Sequence, residues 1–153
     1  MLLGTEGQGW EQVMSELAFE RSGPERFLSS IELLVQLIGV LQGRASDAAQ
    51  ITLGRLTARL AVLRRLSRSV TAMLQDSPDA GLQAAIVKDV GALFEQGLPD
   101  IARELIDAEP DPRAANAYAA VLGNIVLNAP SWSLRGGTRE ILRGIIARGL
   151  GTR

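Results

Sequence analysis

The chain has 153 residues, 46% of them hydrophobic, and a net charge of −1. That length suits one compact domain, and the near-zero charge gives no overall pull toward nucleic acid. It contains no cysteine and no histidine, which excludes disulfides, thiol chemistry, Cys/His zinc sites and a histidine general base. Aromatic residues make up only 4%, and the aliphatic surplus favours packed helices over a sheet. No stretch approaches the ~20 consecutive apolar residues of a membrane span. Met1-Leu2-Leu3 lacks the basic and apolar regions of a signal peptide. The expectation is a soluble, cytoplasmic domain with no metal, no nucleic acid and no membrane among its partners.

Residues 1–10, with the glycines of "GTEGQG", read as a loop. A long helix is predicted from about Glu11 to Leu41, with Val13, Leu17, Pro24, Leu28, Ile31, Val35 and Ile38 as its inward stripe. Glu20 falls on that stripe, three residues after Leu17 and four before Pro24. Proline removes the hydrogen bond to the carbonyl four residues back, here that of Glu20, so the helix must kink or restart near residues 20–24. Ser22 and Glu25 have the spacing of a capping box for the restart. Two readings stand at this point: a joint between helices with solvated charges, or an inward carboxylate beside a local opening.

Gly43 to Gln50 is a connector. A second helix is predicted from about Asp47 to Gln75, with Leu53, Leu56, Leu60, Leu63, Val70 and Leu74 inward. Arg55, Arg59, Arg64, Arg65 and Arg68 cover its other faces. They read as a solvated surface packing its aliphatic stems, or as a site for an anionic ligand or acidic partner. After the turn "DSPDAG", a third helix spans about Ala80 to Ala108, with Leu82, Ile86, Leu93, Ile101 and Leu105 inward and a kink expected at Gly97 and Pro99. A fourth helix covers about Arg113 to Asn128, with Tyr118, Val121, Leu122 and Ile125. "APSWSLRGG" is irregular, and a fifth helix covers about Thr138 to Gly149, with Ile141, Leu142, Ile145 and Ile146. Short connections make neighbouring helices antiparallel. The fold class is all-α: an antiparallel four-helix bundle plus a shorter C-terminal helix, in one domain over residues 11–153. The Gly-Gly before Thr138 permits positive φ, and the free amides and dipole of a helix start favour an anion. Thr138 suits the N-cap and Glu140 the first turn.

Two segments point to a family. "GTEGQGWEQVMSELAFERSGPERF" resembles the end of the middle β domain of the acyl-CoA dehydrogenases running into the first helix of their C-terminal bundle. "LRGGTREILRGIIARGLG" resembles the closing Gly-Gly-Thr-x-Glu-Ile-x-Arg segment of the same family. The likeness covers nearly all of this chain but only the C-terminal portion of a family member. Residues 1–10 would be the remnant of the preceding β domain.

The resemblance implies an FAD-dependent α,β-dehydrogenation of an acyl-CoA thioester. In many members the base precedes a Gly-Thr in the last segment; here Gly136 stands there and cannot act. In others it lies in a Glu-Arg pair on the first bundle helix, which Glu20-Arg21 resembles. An inward carboxylate in an apolar cleft holds a proton more tightly and can work as a base near neutrality. The resemblance further places Arg21, Gly136 and Gly137 beside the substrate, Arg21 near its thioester end. Gly137, Thr138 and Glu140 match the stretch along the flavin. The flavin-contacting loop of the family is shorter here and lacks its Phe-Gly, with Arg44 as a loose match. The implied partners are an acyl-CoA, further copies of the chain as dimer or tetramer, and the missing N-terminal and β domains or a sister subunit. FAD is expected in the complete enzyme and not in this chain alone. The alternative is a non-catalytic helical module for oligomerisation or partner binding, such as the inactive half of a heteromeric dehydrogenase.

Overall fold

The computed structural model describes residues 4–76 and 80–152. Among them are six α-helices and no strand: α1 Gly9–Ser22, α2 Ile31–Leu41, α3 Asp47–Asp76, α4 Gly81–Leu105, α5 Ala117–Asn128 and α6 Arg139–Gly149. Two short 3-10 segments, Pro24–Arg26 and Ala129–Ser133, lie in the α1–α2 and α5–α6 connections. The fold is all-α, as composition and periodicity predict. Residues 77–79 of the turn "DSPDAG" lie outside the described residues. No helix among the described residues is long and apolar enough to cross a membrane.

α4 is the central element and packs against all five other helices. Its buried positions include Ala84, Ala85, Gly91, Ala92 and Ala102, small residues that let neighbours approach closely. At Gly91 the approach is closest: a β-carbon there would run into the backbone carbonyl of Arg26. Only glycine lets the Pro24–Arg26 segment rest on α4. The larger core joins Phe27, Leu33, Leu37, Leu56, Leu63, Leu98 and Leu122. A smaller one joins Ala18, Val70, Leu74, Ala80, Ala84 and Val87.

The first predicted helix restarts, as Pro24 predicts, and forms two helices; its inward stripe is corrected, because the irregular residues 23–30 between them reset the helical phase. The buried stripe of α2 is therefore Leu33, Leu34, Leu37 and Leu41, while Val35 and Ile38, expected inward, are 55% and 44% exposed. Val13 and Pro24 also face solvent. Leu93 and Ile141, also expected inward, are exposed too. α4 runs through Pro99 and ends at Leu105, short of Ala108. α5 starts at Ala117 rather than Arg113, where the Asn116 side chain caps it by accepting from Ala119 N at 3.1 Å.

Candidate active site at the helix break

The chemistry of the break follows from Pro24. Without an amide hydrogen, it leaves the Glu20 carbonyl unserved by the helix. Arg26 takes over: its Nε donates to Glu20 O at 2.9 Å, and its Nη2 meets Glu20 Oε1 at 2.5 Å. Gly23 N adds a long bond to the same carbonyl at 3.4 Å. The second Glu-Arg pair of "FERSGPERF" thus closes the ends that the first leaves open. Arg26 is buried to do so, with Glu25 at 3.6 Å on its outer side. The expected capping box is not formed. Ser22 Oγ donates back to Phe19 O at 2.9 Å, Ser22 O accepts from Ser67 Oγ at 2.5 Å, and Gly23 occupies the N-cap of the short segment.

Glu20 itself is partly inward, its side chain 39% exposed. The apolar cleft expected around it is corrected to a half-open position beside two guanidinium groups, Arg21 and Arg26. Arg21 is buried, and its Nε donates to Gly136 O at 2.7 Å. Burial lowers the proton affinity of this guanidinium, and the neighbouring Glu20 opposes that shift.

Gly136 and Gly137 adopt φ of +66° and +108°, the left-handed region that the Gly-Gly pair predicts. A β-carbon built on Gly136 would lie 3.3 Å from Arg21 Cγ and 3.8 Å from both Glu20 Oε1 and Lys88 Cε. One on Gly137 would lie 3.5 Å from Arg21 Nη2. The fold therefore brings Glu20, Arg21, Gly136 and Gly137 to one place from opposite ends of the sequence. Thr138 holds the N-cap position of α6, but its hydroxyl makes no capping bond to a backbone amide. The Glu140 carboxylate accepts from its own amide and from the Thr138 hydroxyl, which holds it below the usual carboxylate range. The anion favoured by this helix start is thus supplied by the chain itself. Arg44 is exposed, and its Nε bonds back to Val40 O at the end of α2.

Sequence reasoning missed the layer beneath these residues. Lys88 and Glu95 on α4 are fully buried, and Arg135 and Trp132 of the 132–137 turn pack onto them. One signal was available: Lys88 is the only lysine in the chain, the other cations of the 16 being arginines. α6 is joined to α4 next door, Arg139 Nε meeting Asp89 Oδ1 at 2.8 Å. The five arginines of α3 remain exposed, with an open groove lined by Arg64, Arg65 and Arg68.

An all-helical bundle whose broken first helix sets a carboxylate against a Gly-Gly turn is the class of protein that fold and site define. The family model described as acyl-CoA dehydrogenase, C-terminal domain, matches residues 7–151. The chain belongs to the acyl-CoA dehydrogenase family and carries its C-terminal domain. A search of curated proteins found no match.

Proposed function

We propose that the chain is the C-terminal, base-bearing part of an FAD-dependent acyl-CoA dehydrogenase, with Glu20 removing the α proton of an acyl thioester. One observation carries this reading: Glu20 Oε1 lies 3.8 Å from the point that a β-carbon at position 136 would take. With glycine at 136 that point holds no side chain. A substrate α-carbon resting against Gly136 at van der Waals distance can therefore approach the Glu20 carboxylate without meeting a side chain. Arg26 fixes the Glu20 side chain from one direction, and Arg21 fixes the turn opposite it. An acyl chain laid over this half-open position excludes water, and a desolvated carboxylate is the stronger base. The FAD that family membership implies takes its contacts mainly from outside one copy of this chain. The proposed complete assembly contains the family's other domains or a sister subunit, self-associates, and works in the cytoplasm.

The alternative is a non-catalytic helical module. The missing carboxylate at Gly136 and the shortened flavin loop favour it. The complete assembly decides between them: Glu20→Gln should retain the flavin spectrum and lose acyl-CoA-dependent dye reduction by about 10²–10⁴-fold. Full activity in that variant would exclude Glu20 as base, and absence of any reduction in the unaltered assembly would favour the non-catalytic module.

A further inference from the structure

Lys88 and Glu95 lie seven positions apart on α4, about two turns, and so share a face. Both are wholly buried, in a chain whose basic side chains other than Lys88 are all arginines. The Lys88 amine donates to Trp132 O at 2.7 Å. Glu95 Oε2 meets Arg135 Nη2 at 2.8 Å, and Glu95 Oε1 accepts from Ser29 N at 2.7 Å. Arg135 Nη1 also donates to Ser29 Oγ at 2.9 Å, and its guanidinium stands 5.8 Å from the Trp132 ring centre. The turn is thus gripped at 132 and at 135, just before Gly136, while Arg21 holds the Gly136 carbonyl from the other side. The same Glu95 fixes the start of α2 through Ser29, beyond the break that carries Glu20.

We infer that Lys88 and Glu95 are positioning residues of the proposed site: from the buried face of α4 they set the 132–137 turn, and with it Gly136, against Glu20. The link to catalysis rests on the reading of Glu20 given above; the positioning itself does not.

The residue types fit this role. Burying a charge is costly unless it is paired or neutralised. An arginine cannot shed its proton, whereas a buried lysine can. Lys88 is lowered to about 8, by burial first, then by Arg135 and Arg26, against the pull of Glu95 and Asp89. Glu95 is raised, again by burial first, opposed by the Ser29 amide and Arg135. Glu20 and Arg21 are the charged groups that approach from α1. Loss of the Lys88 proton turns its bond to Trp132 O from charge-assisted to neutral, which weakens it. The placement of the turn should therefore respond to pH just above neutrality.

The single lysine makes the test direct. Lysine labelled with ¹³C at Cε gives one resonance, which should titrate near pH 8 rather than at the ordinary 10.5. The amide signals of Gly136 and Gly137 should move with the same midpoint. Glu95→Gln removes an anion that favours the charged amine, and should move that midpoint downward. Lys88→Met keeps the length without the amine, and should abolish the glycine movement. A lysine midpoint at its ordinary value would overturn the inference, as would glycine amides that ignore it or that titrate equally in Lys88→Met. Should Lys88→Met not fold, co-titration in the unaltered chain and the shift in Glu95→Gln still decide. These measurements use no flavin or substrate, so they stand if the dehydrogenase reading fails. In an active complete assembly, Lys88→Met should lower turnover about tenfold with flavin retained and remove a step near pH 8 from the pH profile. An unchanged profile there would sink the link to catalysis.

Discussion

Gly136 combines positive φ with close neighbours, and the two act differently on a substitution. A β-carbon there meets Arg21, Glu20 and Lys88 at ordinary or slightly tight contact distances. The backbone conformation is the larger obstacle, since an L side chain in the left-handed region costs about 1–2 kcal/mol. Gly136→Ala should destabilise the chain by about that amount, read from denaturant midpoints at constant slope. Lys88 gives a second prediction at this scale. Its folded value of about 8 lies below the ordinary 10.5, so the buried charge weakens the fold at and below pH 8. That penalty is relieved as pH rises from 8 toward 10.5, where the unfolded chain still binds the proton and the folded chain does not. Relative to Lys88→Met, the unaltered chain should gain up to roughly 3 kcal/mol over that window, measured by denaturation at both ends. Tyr118, raised by burial, works in the opposite direction and cancels in the comparison.

At the scale of elements, the Pro24–Arg26 segment depends on Gly91. Gly91→Ala would push α4 away from the Arg26 carbonyl, which is backbone and has little freedom to yield. A loss of about 1–3 kcal/mol is expected, the usual cost of overpacking, with the Arg26–Glu20 pair loosened in the same variant. Chemical-shift changes at Glu20 that are larger than those at α5 would verify the coupling. The helices of the bundle could be read from apolar spacing, and the break from Pro24 alone. What followed the break could not: spacing extrapolated across residues 23–30 assumes one continuous phase, and it sent Val35 and Ile38 inward in error. The meeting of Glu20 with Gly136 was foreseen through the family resemblance. The role of Arg26 and the buried Lys88–Glu95 pair were not, because a charged residue in sequence carries no mark of burial; partners distant in the chain determine that.

For the whole molecule, the exposed apolar residues matter most. Val35 and Ile38 are three positions apart on one face of α2 and stand open in the single chain. Self-association would cover them. Val35→Asp should leave the fold nearly unchanged, since the site is already wet, and shift sedimentation toward the monomer. An unaltered association would place the contact elsewhere.

The placement of the one lysine has a further consequence for a molecule proposed to handle thioesters. Unprotonated primary amines attack activated acyl groups and displace the thiol, whereas guanidinium groups do not at neutral pH. With Lys88 enclosed, the described outer surface offers no side-chain amine, so this surface is protected from side-chain acylation by the proposed substrate. An amine-reactive ester should accordingly modify Lys88 only when the bundle opens, and the rate of that modification, followed by mass spectrometry, becomes a clock for the opening.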